Sequence, residues 1–243
     1  MNGKSLSISI IAVILSFVGG FVLANALNRN ETDVLRAENA RLQNNPVETN
    51  KELTLSDEEI RQRIAEADQN QTNFSFQKNL GVALSRYAMM KKDDNLLNEA
   101  EKLLKRANSL NDKDYDVIVT LGHFNFDLGL FKSDNERFVK AREYYQKALT
   151  AKPNDVDVRT DYGITFYLQN PPDNDKAIAE FNKSLKENPK HEKTLQFLTQ
   201  AFLKQGKTKE AESVLAKLKE INPNTPTLAE IQTQISNEAN SKK

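Results

Sequence analysis

The chain has 243 residues, enough for one or two domains with a sizeable core, and its 34 Lys+Arg balance its 34 Asp+Glu. That balance leaves no global field to draw nucleic acid or an acidic partner. Cysteine is absent, which excludes disulfides, thiolate metal sites and cysteine nucleophiles without selecting a compartment.

Apolar character is concentrated at the N-terminus. Between Lys4 and Arg29 lie 24 consecutive uncharged residues. As a helix they would span roughly 36 Å, enough for a hydrocarbon core of about 30 Å. The segment 1–28 is therefore read as a single transmembrane anchor. Its competitor is a cleaved signal peptide, with Lys4 as the basic region and Ala24-Asn25-Ala26 as a small-x-small cleavage site, giving secretion after cleavage near Ala26. The apolar run is longer than the usual signal core, which favours the anchor. The charges flanking it, Lys4 on one side and Arg29, Arg36 and Arg41 on the other, do not favour an outward-facing body. The expected arrangement is nevertheless an uncleaved export signal with the body on the extracytoplasmic (periplasmic) side.

Ser16, Gly20 and Ala24 share one helix face at the spacing of closely packed membrane helices, and Leu35, Asn39 and Leu42 follow with zipper-like spacing. The two features would allow a weak homodimer through residues 16–42. Residues 29–55 read as a stalk, polar and aperiodic from Asn44 to Thr54. Ser56 and Glu59 then give a capping-box spacing that predicts a leading helix at about 57–69 within a segment 56–73.

Four comparable blocks follow over 74–223, at approximately 74–114, 115–155, 156–191 and 192–225. They open at Leu80-Gly81, Leu121-Gly122, Tyr162-Gly163 and Leu198-Thr199. Each continues with a small residue, a large apolar one and another small or apolar one: Ala100-Leu104-Ala107, Ala141-Tyr145-Ala148, Ala177-Phe181-Ser184 and Ala211-Leu215-Leu218. Pro153, Pro189 and Pro223 close three of them, and Asp112 holds that place in the first. Pro189 and Pro223 are 34 residues apart, whereas the first blocks repeat every 41. The extra residues fall around Asp94-Asn95 and Asp134-Asn135, with Asp173-Asn174 in the third block, and are read as lengthened loops between paired helices. Beyond Pro223, residues 226–243 read as a capping helix with Leu228, Ile231 and Ile235 on one face, then a polar tail.

This pattern resembles the tetratricopeptide-repeat (TPR) family, most clearly in LGHFNFDLG and AREYYQKALTAKP, although the family's usual tryptophan is missing. The resemblance implies an all-α helical solenoid of about four helix-turn-helix repeats behind the single N-terminal transmembrane helix. An anchor followed by a repeat body is the membrane-anchored bacterial type, loosely similar to TPR components of cytochrome c biogenesis. By motif position, the family's concave groove would take Lys78, Val82, Ser85 and Arg86 from the first repeat and Val119, His123, Phe126 and Asp127 from the second. The third would give Thr160, Ile164, Tyr167 and Leu168, and the fourth Gln196, Gln200, Leu203 and Lys204. Phe126 and Tyr167 are the candidate aromatic anchors, unless their rings pack on an adjacent helix.

Enzymatic chemistry finds no support. His123 and His191 are the only histidines and lie in different repeats, and phosphate-loop, dinucleotide and nucleophile motifs are absent. No catalytic residue, cofactor or metal site is expected. The expected function is a non-enzymatic scaffold or adaptor that binds a partner peptide or helix. The alternatives are an assembly factor for cytochrome c maturation and a structural oligomeric envelope protein.

Overall fold

The computed structural model describes residues 56–225, 228–229 and 231–235. The predicted anchor, stalk, zipper and dimer segment and the last polar residues lie outside the described residues. Among the described residues no helix is long and apolar enough to cross a membrane. They form two compact units that divide after Asn111.

In the first unit, α1 (Asp57–Gln69) precedes a helix pair, α2 (Phe74–Lys91) and α3 (Asp94–Leu110). Ser56 and Glu59 cap α1 reciprocally: the Glu59 amide donates to Ser56 Oγ at 3.2 Å, and the Ser56 amide donates to the Glu59 carboxylate at 2.7 Å. Ile60 and Ala67 are the buried residues of α1, so its other side stays wet. The buried Gln77 amide of α2 donates to the carbonyls of Ala67 and Asn70, satisfying the end of α1. Asp68 accepts from Arg106 at 2.5 Å and Lys102 at 3.0 Å, which fastens α1 to α3. Leu80, Leu84 and Ala88 of α2, with Leu97, Ala100, Leu103, Leu104 and Ala107 of α3, are buried between the two helices.

The second unit stacks three helix pairs: α4 (Tyr115–Lys132) with α5 (Asn135–Ala151), α6 (Val156–Leu168) with α7 (Asn174–Glu187), and α8 (Glu192–Lys204) with α9 (Thr208–Ile221). Within each pair the spacing of small and large residues is the packing rule. A Cβ on Gly122 would lie 2.6 Å from the Tyr145 ring, and one on Gly163 would lie 2.7 Å from the Phe181 ring. Tyr145 and Phe181 are wholly buried, so the bare backbone of the first helix forms the floor on which the ring of the second lies. Aspartates start most of these helices: Asp114, Asp134, Asp155 and Asp173 each accept from a backbone N–H in the first turn. Each such cap contributes about 1 kcal/mol. Leu228, Ile231 and Ile235, on helical residues after Thr225, are buried in the same core as Leu215 and Leu218.

One expectation needs correction. The extra residues of the longer blocks lengthen the helices, not the connections. Helices α2 and α4 have 18 residues each, against 13 in α6 and α8. Only Lys92-Asp93 lie between α2 and α3 and only Ser133-Asp134 between α4 and α5, whereas residues 169–173 do form a longer connection between α6 and α7. Lys92 and Ser133 adopt left-handed backbone, at φ 56° and 53°, and the next amide folds back onto Ala88 or Gly129. Asp93, rather than Asp94, then caps α3 through the amides of Asn95 and Leu96.

Candidate partner-binding face

The first helices of the three pairs in the second unit, α4, α6 and α8, present one shared side-chain surface. Helices α5, α7 and α9 pack along them, and α5 and α7 also pack on the first helix of the next pair, α6 and α8.

The candidate residues divide by burial. Val119, Asp127, Leu168, Gln196 and Gln200 are half-buried, and His123 and Lys204 are exposed. Phe126, Thr160, Ile164, Tyr167 and Leu203 are instead buried. Neither proposed anchor is presented to solvent. Phe126 packs edge-on against Phe138 with ring centroids 5.9 Å apart, and Tyr167 packs on Phe197 at 5.7 Å. The Tyr167 hydroxyl donates to Gln200 Oε1 at 3.2 Å, and Lys204 Nζ lies 3.7 Å from the centre of the Tyr167 ring. Thr160 joins a buried hydroxyl network with Ser184 and Thr194 that supports the helix contacts. Gln196 is engaged by the C-terminal segment, donating to Thr225 Oγ1 at 3.1 Å. In the first unit, Lys78 and Val82 are half-buried and Arg86 is exposed, while Ser85 is buried and donates to the Val82 carbonyl.

At the centre of the second unit's face lies a charge cluster. His123 Nε2 of α4 is 3.1 Å from Asp161 Oδ2 of α6, and Lys193 Nζ of α8 donates to Asp161 Oδ1. Burial alone would raise the Asp161 carboxyl, but Lys193 and His123 outweigh it and hold the group at about 2. Desolvation pushes the His123 imidazole down. The Asp161 hydrogen bond and the charges of Asp161 and Asp127 more than offset this, so His123 is raised. Asp127, one turn beyond His123, is pushed up to about 6, first by burial and then by the Asp161 charge, against the opposing influence of His123 and Lys193.

Asp161 and Lys193 were missed by motif position. The available signal was their separation in sequence: 38 residues from His123 to Asp161 and 32 from Asp161 to Lys193. Each is close to one repeat, which sets the residues on neighbouring first helices.

His191 serves a local role. It lies between Asp157 at 3.0 Å and Thr194 at 2.6 Å at the start of α8. No group of three or more potential metal ligands is found among the described residues.

Tetratricopeptide-repeat family models match residues 122–155 and 173–235. No curated protein matches the chain. Among solved structures, YrrB, a TPR protein with an unusual peptide-binding site, is 17% identical with a TM-score of 0.56, covering 72% of this chain and 84% of its own. MamA is 21% identical at a TM-score of 0.54, with 68% and 81% covered. PilF of Pseudomonas aeruginosa is 14% identical at 0.51, with 75% and 83% covered. These likenesses establish the fold: an all-helical TPR solenoid.

Proposed function

We propose that this chain is a non-enzymatic scaffold that holds a peptide or helix of a partner protein on the α4–α6–α8 face, with the N-terminal apolar segment tethering it to a membrane. The single observation that carries the binding part is that three successive first helices contribute to one continuous cluster, His123–Asp161–Lys193, flanked by half-buried Val119 and Gln200. A mixed apolar and polar strip of this kind suits a segment that brings its own side chains and hydrogen bonds. TPR proteins generally serve protein–protein interaction, and the peptide-binding site of YrrB occurs on the same fold.

Photo-crosslinking in cells tests the face. A benzophenone residue replacing Val119 or Gln200 should yield partner adducts, and one replacing Glu143, exposed on α5, should not. Equal adducts at all three positions, or none at the first two, would overturn the assignment.

The tether rests on the 24 uncharged residues after Lys4. The full chain should fractionate with membranes and be released by detergent but not by high salt. Because the chain has no cysteine, Ser109→Cys supplies a single thiol for a membrane-impermeant maleimide. Labelling of intact cells, once any outer membrane is made permeable, fits an extracytoplasmic body; labelling only after lysis places the body inside. Recovery of the chain in the soluble fraction would remove the tether.

A further inference from the structure

The contact between His123 and Asp161 decides which ring nitrogen of His123 responds to pH. Asp161 is bonded on both carboxylate oxygens, to His123 and Lys193, and as a carboxylate it can only accept. Its Oδ2 lies 3.1 Å from His123 Nε2, so that nitrogen carries a hydrogen in the neutral ring as well as in the charged one. The proton that His123 gains or loses near neutrality is therefore the one on Nδ1. Nδ1 makes no hydrogen bond among the described residues, and its side chain is 47% exposed on the α4–α6–α8 face. Charged, it presents an N–H to a partner; neutral, it presents a lone pair.

The surroundings reinforce this reversal. Tyr145 of α5 lies edge-on to the imidazole at 5.7 Å and keeps its phenolic proton. Lys193 of α8 is committed to Asp161. Asp127, one turn along α4, is pushed up to about 6 and gains its charge before the imidazolium loses its own. In acid, two cations (His123, Lys193) face one anion (Asp161). In mild alkali, one cation (Lys193) faces two anions (Asp161, Asp127). A carboxylate approaching Nδ1 thus meets a donor and an excess of positive charge in acid, and neither in mild alkali.

We infer that Nδ1 of His123 is a proton-operated contact for the partner: protonated, it donates to a carboxylate of the bound segment, and deprotonated, it releases that carboxylate. This rests on the partner-binding reading and adds the regulation of that same face. A carboxylate is preferred over a carbonyl because the hydrogen bond is charge-assisted on both sides.

Selection of a randomised peptide display library on the purified full chain at about pH 5.5 tests the contact. Retained peptides should be enriched in a carboxylate at one position, and amidated synthetic copies separate a side-chain carboxylate from a terminal one. Their affinity should fall about tenfold on moving to about pH 8, the size of one lost charge-assisted hydrogen bond. His123→Gln, which can still donate to Asp161 but does not titrate, should bind them equally at both pH values. Nitrogen NMR of the histidine-labelled native chain at about pH 8 should place the His123 hydrogen on Nε2. A hydrogen on Nδ1 there, peptides without a carboxylate position, equal native affinity at both pH values, or a fall that survives His123→Gln overturns the contact and leaves the face standing. Failure to retain any peptide at either pH overturns both.

Discussion

His123 and Asp161 join the first helices of two successive repeats through a 3.1 Å contact, with a half-exposed imidazole on a carboxylate that is almost wholly enclosed. Because the contact raises the His123 pKa, its stabilisation is greatest with the imidazole charged. It is fully present below the ordinary histidine value of about 6.5 and is lost as pH rises through the folded value. Asp161→Asn should lower the His123 pKa, followed by NMR of its imidazole protons. An unchanged His123 titration would deny the coupling.

The two carboxylates of the cluster should act on stability with opposite signs. Asp161 is held at about 2, so its contribution is present above the unfolded value of about 3.8 and is lost as pH falls towards 2. Asp161→Asn should therefore destabilise the chain at neutral pH, by about 2 kcal/mol. Asp127 is raised to about 6, so the folded state loses stability as pH climbs from about 4 to about 6. Asp127→Asn should raise stability at neutral pH by roughly 1 kcal/mol, allowing for solvent screening. Thermal unfolding at pH 4 and pH 7 checks both, and the Asp127 advantage should vanish at the lower pH.

Gly122→Ala and Gly163→Ala should each destabilise by about 2 kcal/mol. Alanine would ordinarily favour a helix by up to about 1 kcal/mol. Here its methyl meets Tyr145 or Phe181 below 3 Å, and both rings are fixed in the core. Gly122→Ala should be partly rescued by Tyr145→Leu, measured by chemical denaturation; strict additivity of the two would count against the packing account.

Lys92 and Ser133 end α2 and α4 in left-handed backbone, a conformation that Gly206 adopts after α8. Lys92→Gly and Ser133→Gly should each stabilise by about 0.5–1 kcal/mol, since the strain of a side chain there exceeds the entropy glycine costs. Paired denaturation curves would reveal it as a higher midpoint at constant slope.

The repeat architecture was legible because its determinants are local and periodic: a glycine, then a large side chain on the second helix of the same pair, then a proline such as Pro153 or Pro189. The lengths of α2 and α4 were not, because lysine and serine do not advertise a left-handed turn. Phe126 and Tyr167 looked like anchors by motif position, yet Phe138 and Phe197 cover them, and such cover depends on how neighbouring helices are rotated. The His123–Asp161–Lys193 cluster was hidden for the same reason. Each member occurs on a different helix, and none is distinctive alone.

The fit between Gly122 and Tyr145 also bears on how such chains can change. In the fourth repeat Thr199 stands at the glycine position and Leu215 at the ring position, so the two sizes have been adjusted together. A recombination that joined α4 to α9 would set Gly122 against a leucine, as Gly81 is already set against Leu104 in the first pair. One that joined α8 to α5 would drive a branched side chain into a tyrosine. Crossovers at the proline turns near 153 and 189 preserve each matched couple, whereas crossovers inside a pair break it. The unit of inheritance in this fold is accordingly the helix pair.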